Sequence, residues 1–464
     1  MNEHLLRSLD EISDRHLMEA SAPKRRRSRI LIRAAAAVLA VILLLSLSRP
    51  EPESVLATEL VSPAAFDPLD WPMESDFSSK EAYQEALKAY HAQDAALSSA
   101  AREAMANMED FWRYSFRLFL DGDENTVWSP VNTYLSLAVM AQVSSGGTRQ
   151  EILNALGVDG IETLQQNAKA VWERVWADNG QTQRRLANSI WLDGSLHYKG
   201  ENLQVLGEYY YTSVHTTNHR TSQGAADIRA WIESQTQGIL DSASPIKADN
   251  GTSRMLAFAS TSYINETWLE NFDPDRNRTG VFHAPSSDVD CTYMNANMDT
   301  TKYARGENYD AVALSTNGGC RLWLILPDQG TSVSKLLKQG DYMETVLDRK
   351  PDSRKVILTM PKFDITATVQ LEKGLKKLGV DKIFSFLGSD FSGIVDMKPV
   401  KLDEIKQTSR IIVDETGIRA GSGEVWDLIA KSSEKPITIT LDRPFLFVLM
   451  LDTIPLYAGV VAQP

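Results

Sequence analysis

The chain has 464 residues, of which 43% are hydrophobic and 23% charged, a composition typical of a globular protein with short appended segments. Its formal net charge is -13 at pH 7, and the first 33 residues hold more basic than acidic side chains, so the remainder is more acidic still. This negative charge argues against nucleic acid as a partner and favours partners with basic protein surfaces.

The amino-terminal segment is expected to anchor the chain in a membrane. Residues 30–48 are apolar except for Arg33 and follow the basic cluster of residues 24–29. At a rise of about 1.5 Å per residue, this segment comes close to spanning a hydrocarbon core of about 30 Å. The positive-inside rule then places residues 1–29 as a basic tail in the cytoplasm and the body outside. The alternative is a cleavable signal peptide ending near Ala57, which would leave a secreted protein.

The next segments predict a stalk, a helical lead-in and a large mixed domain. Residues 49–77 are rich in proline and in acidic or small residues, so they are expected to form an extended stalk that buries little. Residues 78–105 are rich in Ala, Glu, Gln, Lys and Leu, which predicts helix, and helical spacing of apolar residues continues to Leu120. After Trp128, helical stretches alternate with β-rich ones, and the carboxyl end is nearly all strand-like. This order predicts an α+β fold for residues 106–464.

Two cysteines occur, Cys291 and Cys320, which are too few for a disulfide framework. Their separation matches no short metal-ligand spacing, so no metal site is expected. Two isolated core thiols are the favoured interpretation. A single bridge between them is the alternative if the body lies in an oxidising compartment.

The chain lacks the short motifs of several large enzyme classes. GxSxG, HExxH and GxxxxGK[ST] are all absent, which argues against an α/β-hydrolase, a zinc peptidase and a P-loop protein. Ser244 to Lys247 matches SxxK and Tyr263 to Asn265 matches YxN, as in penicillin-recognising serine enzymes, but no KTG-like element follows. The sequence therefore predicts neither an enzyme nor a cofactor.

Residues 106–464 contain many separate sequence blocks that occur in a defined order and spacing. They include Trp128-Ser129-Pro130-Val131, Gly146-Gly147-Thr148, Ala187-Asn188-Ser189-Ile190-Trp191, residues 228–240, Phe272-Asp273-Pro274, Met360-Pro361-Lys362-Phe363, Asp390-Phe391-Ser392-Gly393, Arg443-Pro444-Phe445-Leu446-Phe447 and Gly459-Val460-Val461. Together these blocks resemble the motifs of the serpin family, of bacterial type and with an added N-terminal membrane anchor. The resemblance implies about three β-sheets, eight or nine helices and an exposed reactive loop at about residues 415–436.

The resemblance also implies a mechanism, in which a protease cleaves the loop and the loop then inserts as a new strand into a large sheet and traps the acyl-enzyme. Alternate side chains of the inserted segment would point to the interior. Ile418 is bulkier than the threonine usual in the family, and Glu424 would bury a carboxylate, which costs several kcal/mol without a partner or a proton. The predicted hinge residues are Glu415, Thr416, Gly417, Ile418, Ala420, Ser422 and Glu424.

The scissile bond is predicted between Lys431 and Ser432 by the family's spacing from the hinge glycine, Gly417. Counting back from Pro444 leads instead to a position near Ser433. A lysine before the cut implies a trypsin-like target with a carboxylate in its specificity pocket, and the alternative is that Lys431 is simply a solvated loop lysine.

The leading functional hypothesis is thus a monomeric suicide-substrate inhibitor of serine or cysteine proteases outside the cytoplasmic membrane. The runner-up is a non-inhibitory serpin-fold binding protein at the cell surface.

Overall fold

The computed structural model describes residues 57–69, 71–106, 108–179, 182–218, 221–238, 240, 256–347, 352–385, 387–395, 406–418 and 435–464. Within these ranges no helix is long and apolar enough to cross a membrane. Several sequence predictions fall outside the described residues, namely the basic tail 1–29, the membrane segment 30–48, and the loop positions Ala420, Ser422, Glu424, Lys431 and Ser432.

Helices begin where the sequence supplies caps. Ser79 accepts a hydrogen bond from the amide of Ala82 at 3.2 Å, and Ser129 stands just before Pro130, whose missing N–H costs nothing at a helix start. The helix that follows Ser129 is buried along its whole length, so it shows no polar face. In the described residues the α-helices are α1 (Lys80–Ala104), α2 (Glu109–Phe119), α3 (Pro130–Val143), α4 (Gly146–Ala155), α5 (Ile161–Val175), α6 (Gly200–Tyr210), α7 (Ser222–Gln235), α8 (Val333–Gln339), α9 (Tyr342–Leu347) and α10 (Glu372–Lys377).

The described strands form three sheets of six, nine and two strands. This agrees with the expected α+β fold of about three sheets, and the helices other than α1 agree with the eight or nine expected for residues 106–464. The strands are β1 (Thr58–Val61), β2 (Thr126–Trp128), β3 (Ala177–Asp178), β4 (Gln183–Asp193), β5 (Thr212–Thr217), β6 (Leu256–Thr267), β7 (Arg278–His283), β8 (Asp288–Arg305), β9 (Tyr309–Ser315), β10 (Cys320–Pro327), β11 (Asp352–Pro361), β12 (Phe363–Gln370), β13 (Lys406–Val413), β14 (Gly417–Ile418), β15 (Ile437–Thr440), β16 (Phe445–Leu451) and β17 (Ile454–Val461).

The six-stranded sheet has the order β1-β5-β4-β6-β14, with β3 paired to β4. The central strands β4 and β6 are antiparallel, and Asn188 lies opposite Ser260 in their register. Because directly paired residues share a face, the even-numbered residues of both strands point the same way, into the interior. The two-stranded sheet joins β12 to β13, and its Phe363 lies opposite Val413.

The nine-stranded sheet has the order β15-β11-β8-β9-β10-β16-β17-β2, with β7 paired to β8. Its strands β16 and β17 are buried at every residue, which explains why the sequence there is a continuous apolar run without alternation. Trp128, Trp323, Phe445 and Phe447 are among the largest fully buried side chains of the core.

The segment before α1 packs on the domain. Strand β1 pairs antiparallel with β5, and Val61 is buried. The ring of Phe66 meets the rings of Trp172 and Tyr211 edge-on, at centroid distances of 5.5 and 6.0 Å. Residues 57–69 therefore contact the domain through one short strand and one aromatic side chain, although their composition is rich in proline.

Helix α1 lies within residues 78–105 and is held to the domain by polar contacts. Arg174 on α5 forms ion pairs with Asp94 at 3.2 Å and with Asp452 at 2.7 Å. Ser98 donates a hydrogen bond to the same Asp452 carboxylate at 2.9 Å. Charges of α1, α5 and the turn between β16 and β17 thus meet at one point.

Both cysteines are free, as the favoured interpretation predicted. Cys320 is buried and Cys291 is half-buried. Burial raises the pKa of each thiol, so neither is a reactive thiolate near neutral pH.

Candidate functional site

A cleft separates β6 from β13. Strand β13 pairs with β12 on one side, and among the described strands none joins it along the other side. Two strand edges that face each other across a gap form a template for one additional strand. We call this gap the insertion cleft. It is lined by Ser262, Tyr263 and Ile264 of β6, by Arg410, Ile411 and Ile412 of β13, and by Ile418 and Tyr457.

Two residues near the start of the predicted loop, Gly417 and Ile418, lie at one end of this cleft. Gly417 pairs with Thr267 and Ile418 pairs with Glu266, both antiparallel, so β14 extends the sheet at β6. A Cβ atom on Gly417 would lie 2.0 Å from the carbonyl oxygen of Glu266, so only glycine fits this close approach. The side chain of Ile418 is 3% exposed and points into the cleft.

A tight turn carries the chain from β13 into β14. The amide of Asp414 donates to the carbonyl oxygen of Gly417 at 3.1 Å. The Asp414 carboxylate accepts the amide of Thr416 at 2.9 Å and its hydroxyl at 2.6 Å. From the neighbouring segment, Trp268 donates its backbone amide to Thr416 at 3.0 Å and its indole N–H to Asp414 at 2.8 Å.

Glu415, the hinge acid, is fixed by three contacts. Its carboxylate forms an ion pair with Lys362 and accepts a hydrogen bond from the amide of Asn277. Its backbone carbonyl accepts the amide of Phe272 at 3.1 Å. Burial alone would raise the pKa of Glu415, but the hydrogen bonds from Lys362 and Asn277 outweigh it and lower the pKa. Glu415 is therefore ionised at neutral pH and is held in place by these contacts.

A buried ion pair lies directly behind the hinge. Nη1 of Arg184 is 2.6 Å from Oε1 of Glu266, and the two side chains are 6% and 0% exposed. The amide of Gly318 donates to the other carboxylate oxygen at 3.0 Å, while its carbonyl accepts from Arg184 at 2.8 Å. Arg184 also donates to the carbonyl of Val175 at 2.8 Å. The strand that receives the hinge is thereby tied to β4 and to the β9–β10 turn.

Residues 112–464 match the family model Serpin (serine protease inhibitor), which covers more than half of the chain. The chain belongs to the serpin family. The insertion cleft and the hinge that enters it both lie inside the matched region.

Curated relatives of this serpin include neuroserpin of Mus musculus, 26% identical over 366 residues that make up 74% of this chain and 87% of the relative. Serpin-Z7 of Hordeum vulgare is 25% identical over 360 residues, with 73% and 90% covered. Among solved structures, Serpin48 of Tenebrio molitor superposes with a TM-score of 0.69 at 24% identity, over 78% of this chain and 98% of that one. Human thyroxine-binding globulin, solved with bound thyroxine, gives a TM-score of 0.67 at 19% identity, over 78% of this chain and 99% of that one. These structural likenesses show the fold.

A group of neutral polar side chains lies deeper along the cleft of this serpin. The hydroxyl of Ser260 is 2.8 Å from Oδ1 of Asn132 and 2.5 Å from Oδ1 of Asn188. Asn188 is 1% exposed, and its Nδ2 has no hydrogen-bond partner among the described residues. Gln407 of β13 accepts the amide of Ser129 at 2.7 Å and donates to its carbonyl at 3.2 Å. We call Ser129, Asn132, Asn188, Ser260 and Gln407 the polar cluster.

The structure brings together the hinge residues Glu415, Thr416, Gly417 and Ile418 of the sequence prediction. It adds residues that sequence reasoning missed, above all Arg184 and the polar cluster. The available signal was the presence of Asn and Arg at positions that alternate with apolar residues along β4, in a strand expected to be buried.

Proposed function

We propose that this serpin is a suicide-substrate inhibitor of serine or cysteine endopeptidases. The observation that carries the proposal is the joint between hinge and cleft. Gly417 and Ile418 occupy the first positions of a strand on β6, and the facing edge of β13 is open to the same strand. If β14 lengthened after cleavage, the added strand would fill the cleft and form backbone hydrogen bonds with the edges of both β6 and β13.

The chemistry of capture begins as ordinary proteolysis. The nucleophile of the protease attacks the carbonyl carbon of Lys431, the bond to the nitrogen of Ser432 breaks, and the new amine leaves with a proton. The product is an ester, or a thioester for a cysteine protease, between the enzyme and Lys431. If the loop inserts before water hydrolyses this bond, the protease is carried along and stays acylated.

Lys431 sets the target class in this proposal. Its ammonium group would enter a specificity pocket whose buried carboxylate supplies the paired charge, as in trypsin-like enzymes. The acidic body of the inhibitor favours a protease with a basic surface.

Incubation with trypsin tests the proposal. We expect a covalent complex that survives denaturation in sodium dodecyl sulfate, together with stoichiometric loss of trypsin activity. Replacing Lys431 with alanine should lower complex formation with trypsin at least about tenfold, since the charge pairing in the pocket is lost. The control is the neighbouring Ser433→Ala, which should behave like the wild type if the bond after Lys431 is the one cut. Quantitative loop cleavage with no complex and no loss of trypsin activity would contradict the proposal.

The second candidate is a binding protein with the serpin fold that does not trap proteases. The observations that favour it are the bulky Ile418 and the acidic Glu424, both unlike the small uncharged residues expected in an inserting loop. The fold shared with human thyroxine-binding globulin shows that the architecture also occurs in a protein that binds a small molecule. If this second function is correct, incubation with trypsin gives cleaved protein, no covalent complex and no loss of trypsin activity.

We also propose that residues 30–48 anchor this serpin, of bacterial type, in the cytoplasmic membrane with its body outside, or that it is secreted after cleavage near Ala57. The basic residues before the apolar run and the acidic body after it support this orientation. An uncleaved anchor predicts that the protein stays in the membrane fraction through washing with alkaline carbonate. A protein that begins after Ala57 and appears in the medium would instead support secretion.

A further inference from the structure

The chain ahead of helix α1 lies in a groove on the surface of the domain. Residues 58–66 first pair with β5 as strand β1 and then run past helix α6. We call residues 58–66 the strap, and we call the surface of β5, α5 and α6 that it covers the strap groove. Three strap side chains are shielded from solvent, namely Val61, which is buried, and Ala64 and Phe66, which are half-buried, and the others are exposed.

Main-chain pairing holds the first half of the strap. Val61 lies opposite Val214 of β5 in an antiparallel pair. Pro63 has no N–H to continue such a ladder, and the amide of Ala64 donates instead to the carbonyl oxygen of Gly207 on α6 at 2.9 Å. Strand addition of this kind binds an extended peptide through its backbone and selects it through the side chains that point inward.

Helix α6 carries a glycine at the point where the strap crosses it. A Cβ atom at Gly207 would lie 2.6 Å from the carbonyl oxygen of Ser62 and 2.9 Å from Cγ1 of Val61. The three atoms nearest to that Cβ position all belong to the strap, so no closer contact within the domain requires glycine there. Glycine weakens a helix interior relative to alanine. This position of α6 is therefore adapted to the passage of an extended chain.

The second half of the strap ends in an aromatic box that receives Phe66. The ring of Phe66 lies edge-on to three rings of the domain, at centroid distances of 5.5 Å from Trp172, 5.9 Å from Trp176 and 6.0 Å from Tyr211. The rings of Trp172 and Tyr211 stack at 3.7 Å, and the indole of Trp172 donates to the carbonyl oxygen of Leu186 at 3.0 Å. Contacts within the domain thus hold the walls of the box independently of Phe66, as in a preformed binding pocket.

We infer that the strap groove is a peptide-binding site, filled in this structure by a segment of its own chain, and that its other occupant is an extended segment of a partner protein. The strap gives the ligand pattern: an aliphatic residue beside β5, a small residue three positions later beside Gly207, and an aromatic residue two positions after that in the box. The positions between them are exposed in the strap, so they place little constraint on the ligand. The strap groove shares no residue with the insertion cleft, and the inference does not depend on the trapping of proteases.

Competition within the chain decides how strongly such a partner binds. The strap is joined to α1 by a short connection, which gives it an effective concentration on the order of 1 mM at its own groove. A partner segment binds only while the strap is detached, so its apparent dissociation constant equals the intrinsic constant divided by the detached fraction. A change that weakens the strap without touching the groove should therefore reveal the binding.

The test uses the full-length protein and a labelled peptide with the sequence of residues 58–66, capped at both ends. In Phe66→Ala the strap loses its aromatic anchor and the groove is unchanged. We expect the peptide to bind this variant at one site per chain and at least about tenfold more tightly than it binds the wild type. Fluorescence anisotropy measures the binding, and urea unfolding shows that the variant is folded. Ala64→Pro, which removes the hydrogen bond to Gly207, takes the place of Phe66→Ala if that variant does not fold.

Matched changes in the peptide and in the protein locate the site. In the peptide, alanine in place of Phe66 should weaken binding at least about tenfold, whereas alanine in place of the exposed Ser62 should leave it unchanged. In the protein, Gly207→Ala added to Phe66→Ala should weaken binding at least about tenfold, because the new Cβ lies in the path of the peptide. Gly200→Ala, at the exposed start of the same helix, should have no effect, because a Cβ there meets no atom within 4 Å.

Two results would overturn the inference: a folded Phe66→Ala protein that binds no peptide, or binding that Gly207→Ala leaves unchanged. Light scattering of the wild type tests the remaining occupant, and we expect a monomer. A dimer that the free peptide dissociates would identify the occupant as the strap of a second copy and overturn the assignment to a different protein.

Discussion

If this serpin traps proteases as proposed, replacing Gly417 with alanine is expected to make it a substrate that is cleaved without trapping. The new Cβ would lie 2.0 Å from the carbonyl oxygen of Glu266 and 2.8 Å from Cα of Thr267, and both are backbone atoms of a central strand that cannot turn away. The backbone at Gly417 also has φ of +156°, which side-chain-bearing residues rarely adopt. The hinge would have to leave β6, and the loop would lose the first pairs from which it extends.

The measured quantity is the fraction of loop cleavage events that end in a covalent complex with trypsin. An overpacked contact of this kind costs about 1 to 3 kcal/mol, so the fraction should fall about five- to 160-fold, while the rate of loop cleavage stays within about twofold of the wild type. Gly200→Ala is the matched control, because a Cβ there meets no atom within 4 Å. An alanine at Gly417 that traps as well as the control would show that the paired hinge is not the starting point of insertion.

Gly417 also illustrates how far a sequence argument reaches. Backbone freedom for a segment that changes conformation is a sufficient reason to expect glycine at the start of the loop. The structure gives a second reason, the contact with Glu266, which depends on a strand about 150 residues away in the chain and on the register of the pair. The local sequence is enough to predict a glycine at position 417. Only the fold shows that a side chain there would collide with the carbonyl oxygen of Glu266.

The secondary structure shows the same contrast between elements set by local sequence and elements set by tertiary contacts. Helix Lys80–Ala104 could be predicted within two residues at its start, because propensity and apolar spacing agree over seven turns. Residues 58–61 could not, since a strand of four residues owes its existence to the edge of β5 rather than to its own composition.

The polar cluster and the buried ion pair were harder still to predict from the sequence. Asn132, Asn188 and Ser260 lie on one helix and two strands, and a sequence shows each of them only as a polar residue among apolar neighbours. Their convergence requires the pairing of β4 with β6 and the packing of α3 beneath both. The pair of Arg184 with Glu266 joins residues 82 positions apart for the same reason.

Arg184→Met is expected to cause the largest loss of stability among single substitutions near the cleft. It removes the cation and leaves the fully buried carboxylate of Glu266 with two uncharged donors, the amide of Gly318 and the thiol of Cys320, and breaking a buried pair from one side typically costs about 3 to 5 kcal/mol. Equilibrium unfolding in urea measures the change. The matched control is Arg185→Met, the next residue of β4, whose partner Asp178 is partly exposed, and which should cost about 1 kcal/mol or less.

A double substitution separates the charge from the packing. Changing Glu266 to Gln in the Arg184→Met background removes the unpaired charge and keeps a carbonyl oxygen for the amide of Gly318, so it should recover most of the lost stability. If the double variant is as unstable as Arg184→Met alone, the loss comes from the volume and hydrogen bonds of the guanidinium. Recovery would show that the charge of Arg184 stabilises β6 mainly by compensating the buried charge of Glu266. It would also show that a pair of neutral residues gives similar stability at these positions.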